Sequence, residues 1–230
     1  MARWIFTRDE ARKLYQAGYS SGLERGADGL SFEAATAMLG DSSLTELFTK
    51  YGTDKVRNEY VSMYENLLTP VRDRRLHICE IGIGTLIPEA PSSMAGFCDA
   101  HYQPGGSLRA FRDYCPRALI LGLDVQPDTQ FSGERIETGL CDSTDGLSVA
   151  KFFAHRERTF DLVIDDGLHA PWAQLATLVN FQDKVVHNGA YVIEDIFHDS
   201  PVFSEWREVS GDRFELVERR VNALLLRRKH

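Results

Sequence analysis

Two patterns of hydrophobic and polar positions divide the chain near residue 72. Before that point, apolar residues recur at helical spacing, and helices are predicted over residues 31–40, 43–52 and 59–68. The first two segments each begin with a serine and end on a glycine, which are typical cap residues of a helix. We therefore expect a helical N-terminal extension over residues 1–72.

From residue 76 onward, short continuous apolar runs alternate with segments of helical periodicity. The runs cover residues 76–81, 118–123, 135–138, 160–164 and 190–193. The helical segments between them cover residues 107–114, 146–154 and 171–186. This alternation is typical of a parallel sheet that is covered by helices on both faces.

The end of the chain has a different pattern. Two strand-like runs, residues 214–220 and 223–228, are separated by a link so short that only an antiparallel hairpin can join them. A parallel sheet closed by an antiparallel hairpin is the sheet plan of Rossmann-like class I methyltransferases. The fold class expected for residues 73–230 is thus α/β, with a mostly parallel seven-stranded sheet, on fold-level analogy alone.

Composition and charge narrow the range of partners. The chain has 230 residues, 43% of them hydrophobic, which is enough to bury one sizeable core. Its 26 basic and 34 acidic residues give a net charge of −8, and such a field repels phosphate backbones and anionic membrane surfaces. We expect no nucleic-acid or membrane partner, and a cationic ligand or a divalent metal suits the charge better.

The sequence also bears on where the protein works. The first ten residues contain no apolar segment of the kind found in signal peptides, and no apolar run is long enough to span a membrane. Four cysteines show no CxxC spacing, and Cys79 and Cys141 lie in or beside apolar runs, where a buried free thiol is expected. These features predict a reduced, cytoplasmic protein.

Ligands of open α/β sheets bind beyond the carboxyl ends of the strands, so the residues that follow each run are the candidates. Glu80-Ile81-Gly82-Ile83-Gly84 follows the first run, and its glycines permit a tight turn with close approach of the backbone to a ligand. A dinucleotide-binding GxGxxG motif is broken by Ile87, which weakens a nicotinamide interpretation. A plain strand-to-loop turn accounts for this segment equally well.

Two further strand ends carry aspartate. Asp124 ends the second run and is placed to accept hydrogen bonds from a ribose diol. Asp142 follows the next run, where it could meet an adenine amino group or simply cap its own loop.

The densest group of polar residues follows the last two parallel runs. Asp165, Asp166 and His169 come after one run, and Glu194 and Asp195 after the next. So many like charges at neighbouring strand ends favour a neutralising cation, and carboxylate ligands suit a hard ion such as Mg²⁺. His169 could accept a proton beside that ion; the alternative is a set of acidic strand ends that cap helices beside a surface histidine.

Five segments in a fixed order carry a family resemblance. They are Lys50–Lys55, Glu80–Gly84, Gly105–Arg109, Asp165–His169 and Val192–Asp195. With them, the chain resembles the metal-dependent sugar O-methyltransferases of macrolide and related antibiotic pathways, over roughly residues 44–196. Members of this family include the mycinamicin and macrocin O-methyltransferases.

The resemblance implies S-adenosylmethionine as methyl donor and Mg²⁺ held by Asp166, Glu194 and Asp195. It also implies His169 as general base beside Asp166, and a hydroxyl of a sugar, nucleotide sugar or glycosylated natural product as acceptor. The helical N-terminal segment could mediate self-association, as in relatives. The expected donor-binding residues are Tyr51, Thr53, Glu80, Gly82, Gly84, Ser107, Asp124, Asp142 and Asp165.

Residues 85–104 depart from the family pattern, because members commonly place the Gly-Gly-Ser segment soon after the first-strand glycines. This insertion could be a lid, a substrate wall or an ordered surface excursion. Three alternative functions stay open: a nicotinamide-dependent oxidoreductase, a different hydroxyl-modifying enzyme and a non-catalytic scaffold with a methyltransferase fold.

Overall fold

The structure is a computed structural model that describes residues 42–96, 98, 102–156 and 158–230. The helix predicted over residues 31–40 and the first part of the predicted extension lie outside these ranges. Within them, no helix combines the length and the apolar character needed to cross a membrane.

Six α-helices are present in the described ranges. They are α1 (Leu44–Lys50), α2 (Val61–Leu68), α3 (Gly106–Tyr114), α4 (Gly146–Phe153), α5 (Pro171–Phe181) and α6 (Val202–Ser210). Helix α1 starts where predicted because Ser43 and Glu46 form a capping box, in which each side chain accepts a hydrogen bond from the other residue's backbone N–H. Single 3₁₀ turns occupy Thr69–Val71, Pro127–Thr129, Gln182–Lys184 and Gly211–Arg213.

Eight strands form one sheet in the order β3-β4-β2-β1-β5-β6-β8-β7. The strands are β1 (His77–Ile81), β2 (Leu119–Asp124), β3 (Ser132–Gly133), β4 (Ile136–Leu140), β5 (Phe160–Asp165), β6 (Val185–Ile193), β7 (Phe214–Arg219) and β8 (Leu224–Arg228). The five central strands are parallel, β8 pairs antiparallel with β6, and β7 pairs antiparallel with β8 at the end of the sheet. The predicted sheet plan is therefore confirmed.

Alternate residues of each strand point to opposite faces, so the sheet separates two cores. On one face, strand residues such as Ile78 and Ile120 pack with α1, α2 and α3, where Phe48 and Tyr64 meet Phe111 edge to face. The other core is formed by the opposite sides of the strands together with α4, α5 and α6. The result is a three-layer α/β sandwich whose central strands are buried on both faces.

Three details differ from the sequence prediction. The sheet gains β3, a two-residue strand that pairs antiparallel with β4, and α6 was not predicted. The helix predicted to reach residue 186 ends at Phe181, because Val185 and Val186 already belong to β6. Their β-branched side chains favour the extended conformation. The predicted division between residues 72 and 73 stays a prediction, although α1 and α2 share a core with the sheet.

Candidate functional site

The carboxyl ends of β1, β2, β5 and β6 meet at one edge of the sheet, and Gly82 brings two of them into contact. Gly82 adopts a positive φ of 79°, and a Cβ atom there would lie 2.1 Å from the backbone oxygen of Asp166. Its N–H donates to Leu123 O at the end of β2. Only glycine combines this conformation with so close an approach.

Asp124 links the turn after β1 to the end of β2. One carboxylate oxygen accepts from Ile83 N and the other from Gln126 N, both at 2.9 Å. Burial raises the pKa of Asp124, and these backbone hydrogen bonds oppose that rise. The predicted ribose-binding residue therefore also fixes the shape of the glycine-containing turn.

The buried ammonium group of Lys55 lies next to this turn. Lys55, only 1% exposed, lies in the connector (residues 51–60) that joins α1 to α2. Its Nζ is 3.1 Å from Glu80 Oε1, 2.9 Å from Asp166 Oδ2 and 2.5 Å from Glu194 Oε2. We call Lys55, Glu80, Asp166 and Glu194 the inner cluster. Lys55 donates hydrogen bonds to Asp166 and Glu194, and its contact with Glu80 is an ion pair.

The second carboxylate oxygens of Glu80 and Glu194 are also engaged. Ser107 donates to Glu80 Oε2 at 2.7 Å, and the hydroxyl of Tyr64 donates to Glu194 Oε1. Burial alone would lower the pKa of Lys55, yet the three carboxylates raise it well above its usual value. Lys55 is thus a permanent cation at the centre of this edge of the sheet.

A second group of ligand atoms lies toward the surface. Asp166, His169 and Asp195 form the outer cluster, in which one ligand atom of each residue lies within 4.8 Å of the others. His169 Nε2 is 3.5 Å from Asp166 Oδ1 and 3.8 Å from Asp195 Oδ2. That buried nitrogen makes no hydrogen bond of ordinary length to any described residue. Two carboxylate oxygens and an imidazole nitrogen are a donor set that suits a divalent cation.

Asp195 adopts a left-handed backbone conformation, with φ of 48°. The hydroxyl of Tyr60 donates to Asp195 Oδ1 at 2.6 Å and accepts from Asp195 N at 2.9 Å. Asn58 donates to the same carboxylate oxygen at 3.2 Å. Since these contacts use Oδ1, the other oxygen of Asp195 faces His169.

The charges of the outer cluster depend on their neighbours. Burial would lower the pKa of His169, but its contact with Asp166 and the nearby aspartates raise it to about 9. Burial also opposes ionisation of Asp166, whereas Lys55 and His169 lower its pKa to about 2. Burial raises the pKa of Asp165 to about 8, and its Oδ1 accepts from Gly167 N.

Three of the other predicted donor-binding residues lie outside both clusters. The hydroxyl of Tyr51 donates to Asp113 near the end of α3. Asp142 is exposed and accepts from the N–H and the hydroxyl of Thr144, so its side chain caps its own loop. Thr53 lies beside Gly106 at the start of α3, where the connector passes close to the helix. The predicted donor-binding roles of these residues stay predictions.

The described part of the 85–104 insertion packs onto the turn after β1. The hydroxyl of Tyr102 donates to the carbonyls of Ile83 and Gly84, and a Cβ atom on Gly84 would collide with that hydroxyl. Met94 N donates to Thr85 O, which closes the loop near its base. Phe97 and His101, which the insertion also contains, lie outside the described residues.

Known proteins match the chain in sequence and in structure. No family model matches it. It is 31% identical over 166 residues to the 8-demethyl-8-(2-methoxy-alpha-L-rhamnosyl)-tetracenomycin-C 3'-O-methyltransferase of Streptomyces olivaceus, covering 71% of this chain and 39% of that protein. It is 28% identical over 187 residues to the mycinamicin VI 2''-O-methyltransferase of Micromonospora griseorubida, covering 79% and 44%.

The chain is a homologue of the deoxysugar O-methyltransferases. It spans less than half of the length of the two relatives described above. A solved structure of the MycE methyltransferase from the mycinamycin pathway, in complex with Mg, SAH and mycinamycin VI, superposes with a TM-score of 0.66 at 23% identity, covering 95% of this chain and 63% of that one. That likeness establishes the class I methyltransferase fold.

The sequence pattern does not reveal the roles of several residues near the site. Tyr60 and Tyr64 occur at helical spacing, which favours core positions, although they could also line the donor pocket. In the structure their rings are buried in the core and their hydroxyls contact Asp195 and Glu194. Lys55 belongs to a segment that carries the family resemblance, and in the sequence only this resemblance links Lys55 to the site. Trp172 and Phe197, 62% and 67% exposed, follow His169 and Asp195 closely and had no signal.

Proposed function

We propose that this protein transfers a methyl group from S-adenosylmethionine to a sugar hydroxyl of a glycosylated natural product, with Mg²⁺ as metal cofactor. The observation that carries the proposal is the outer cluster: two carboxylates and an imidazole converge beside the glycine-containing strand end. The homologues support it, since they are named as methyltransferases of rhamnosyl tetracenomycin and mycinamicin. MycE, solved with Mg and SAH, supports both cofactors.

The donor atoms of the outer cluster fit a hard divalent cation. Asp166 Oδ1 and Asp195 Oδ2 would hold Mg²⁺, which when bound supplies Lewis acidity that lowers the pKa of an acceptor hydroxyl. Glu194, the third predicted ligand, has both carboxylate oxygens engaged by Lys55 and Tyr64. Glu194 therefore belongs to the inner cluster, and its role as a metal ligand stays a prediction.

His169 is the proposed general base. Its Nε2 is buried, lacks a described hydrogen-bond partner of ordinary length, and lies between the two outer carboxylates. The nearby carboxylates raise the pKa of His169 to about 9 and keep its ring protonated in the metal-free protein. A cation held by those carboxylates would lower this pKa, and the neutral ring could then take the proton of a hydroxyl positioned at the same place. A general base of this kind contributes roughly 10²–10⁴-fold to a rate.

The methyl donor is proposed to bind along the ends of β1 and β2. Gly82 and Gly84 keep the turn close to the backbone, and Asp124 presents carboxylate lone pairs beyond its two backbone hydrogen bonds. This is the arrangement in which strand-end carboxylates of open α/β sheets bind ribose hydroxyls.

The acceptor is proposed to approach past Trp172 and Phe197. Both side chains are exposed, and along the chain they follow the residues of the outer cluster by two or three positions. Their rings would contact the apolar faces of a sugar and its aglycone. A small-molecule acceptor, a cytoplasmic location, the absence of nucleic-acid and membrane partners, and self-association belong to the proposal as predictions.

The test is methyl transfer from labelled S-adenosylmethionine to a panel of rhamnosides, other deoxysugar glycosides, nucleotide sugars and catechols, with Mg²⁺ or with EDTA. We expect transfer to deoxysugar glycosides only with the metal, abolished by Asp166→Asn and lowered roughly 10²–10⁴-fold by His169→Ala. Asp183→Asn, in the 3₁₀ turn after α5, is the matched control and should leave the rate unchanged. Full activity in EDTA-treated protein would remove the metal from the proposal.

A further inference from the structure

The two outer carboxylates share an unusual division of their oxygens. The connector engages one oxygen of each: Lys55 contacts Asp166 Oδ2, and Tyr60 contacts Asp195 Oδ1. The other oxygen of each carboxylate is the one that faces His169 Nε2. The connector therefore decides which oxygens the outer cluster can offer to a cation.

We propose that Tyr60 is a positioning residue that fixes Asp195 for cation binding. This inference rests on the proposed function, because it concerns the cation of that same site. Tyr60 contacts Asp195 at two points with a single hydroxyl, as donor to the side chain and as acceptor from the backbone N–H. Such a two-point contact locks the carboxylate relative to its own main chain.

The backbone of Asp195 explains why a lock is needed. Non-glycine residues seldom adopt a positive φ, and Asp195 does so directly after β6. Without a partner for its N–H and for Oδ1, the carboxylate would be free to turn both oxygens toward solvent or toward His169. Asn58 donates to the same oxygen at 3.2 Å, but it divides its amide between Asp195 and Asp54. Tyr60 is the residue that contacts both parts of Asp195.

The position of Tyr60 in the fold is consistent with this role rather than with packing alone. Its ring is fully buried in the core next to α2, where phenylalanine would fill the same space. The hydroxyl has one other acceptor among the described residues, Asn222 O, at the longer distance of 3.4 Å. The hydroxyl thus contributes a contact that the core does not require.

The test compares two tyrosine variants of the full chain. Tyr60→Phe removes the contact with Asp195, and Tyr114→Phe removes a buried hydroxyl that bonds Thr69 in the same core. Binding of Mn²⁺ to the metal-free protein is measured by electron paramagnetic resonance, without donor or acceptor. We expect Tyr60→Phe to weaken Mn²⁺ binding by roughly 10–100-fold, the range found for partners that orient metal ligands, and Tyr114→Phe to leave it unchanged.

A double-mutant cycle separates positioning from general loosening. In an Asp195→Asn background, Tyr60→Phe should change Mn²⁺ affinity by less than twofold, because the carboxylate it positions is gone. Thermal unfolding is recorded for every variant, and a similar fall in Tm for both tyrosine variants is expected. Since a purely structural role would affect Tm alone, the Mn²⁺ affinity distinguishes the two roles.

Four results would overturn the inference. Equal Mn²⁺ affinity of Tyr60→Phe and wild type would do so while leaving the proposed function intact. An equal loss in Tyr114→Phe, or a full effect of Tyr60→Phe in the Asp195→Asn background, would assign the loss to loosening of the core. Absence of Mn²⁺ binding by wild-type protein would overturn the inference together with the metal part of the proposed function.

Discussion

The inner and outer clusters share Asp166 but differ in how their charge is balanced. In the inner cluster, the buried ammonium of Lys55 contacts three carboxylates, and hydroxyls contact the remaining oxygens of Glu80 and Glu194. In the outer cluster, Asp166 and Asp195 face a histidine, and the side chains are between 19% and 29% exposed. One cluster contains its own cation, and the other is open.

The inner cluster therefore has a structural role, and the neighbouring outer cluster can bind a ligand. A buried carboxylate without a cation is strongly unfavourable, so the chain itself supplies Lys55 where water is excluded. Where solvent and ligands have access, the carboxylates can bind a cation from solution. The inner cluster thus serves as a rigid base on which the outer cluster is built.

The largest expected effect concerns the inner cluster. Lys55→Met keeps the length of the side chain but leaves Glu80, Asp166 and Glu194 without their cation, and should lower the free energy of unfolding by about 3–5 kcal/mol. Urea unfolding in EDTA measures this. Lys50→Met changes an exposed lysine of the same segment and should stay within about 0.5 kcal/mol of wild type. Equal stability of the two variants would contradict the structural role of the inner cluster.

A smaller effect is expected where the two clusters meet the glycine-containing turn. Gly82→Ala adds a Cβ atom 2.1 Å from Asp166 O at a positive φ, so the ends of β1 and β5 must separate, at a loss of at least about 2 kcal/mol. The free energy of unfolding measured in urea should fall in this variant. The rise in Tm caused by S-adenosylhomocysteine should also be smaller. Gly133→Ala, whose added Cβ would only touch Ile136, is the control. A normal thermal shift in Gly82→Ala would place the donor elsewhere.

The outer cluster can be probed by the titration of His169. In metal-free protein its pKa is about 9, and Mg²⁺ should lower this pKa by at least about one unit, because the ion neutralises the carboxylates that stabilise the imidazolium. Proton NMR of the imidazole ring measures both values. An unchanged pKa at saturating Mg²⁺ would show that the ion binds away from Asp166 and Asp195.

The raised pKa of His169 also makes the stability of the metal-free protein depend on pH. Because the folded pKa exceeds the ordinary value of 6.5, the imidazolium of His169 stabilises metal-free protein fully below about pH 6.5. That contribution is lost as the pH rises through about 9. Urea unfolding of wild type and His169→Ala at pH 6 and pH 9.5 should therefore differ more at the lower pH.

The smallest expected effect concerns the proposed acceptor contact of Trp172. Trp172→Ala should raise KM for a glycoside acceptor roughly fivefold, by loss of about 1 kcal/mol of contact with its apolar face, with little change in the affinity for S-adenosylhomocysteine. Leu147→Ala, another exposed apolar side chain, should change neither quantity. If the two variants behave alike, the acceptor approaches from another side.

The fold was largely readable from the sequence. Nearly continuous apolar runs mark β1, β2 and β5 because strands buried on both faces need apolar residues at most positions. The two-residue β3 is too short to leave a periodic signal, and α6 has only a few buried positions, among them Val202 and Trp206. These elements depend on tertiary contacts that local pattern does not encode.

The candidate site was readable in part, and for a physical reason. Asp166 and Asp195 follow neighbouring parallel strands, so topology alone predicts that they lie close together. Lys55 and Tyr60 reach them from a turn between two helices, and no rule of periodicity places such a turn over the sheet. A tyrosine leaves the same helical pattern as a core phenylalanine, so the spacing of Tyr60 does not reveal that its hydroxyl contacts Asp195.

The reach of Lys55 has a consequence for how the protein acquires its binding ability. Along the chain, this lysine is 111 residues from Asp166 and 139 residues from Glu194. Contacts between such distant positions form only after long loops have closed, which makes them slow steps in folding. During synthesis, the ribosome must release β6 before the ammonium can meet its last partner. Competence to bind a metal should therefore return late in refolding, after most of the helical signal has recovered.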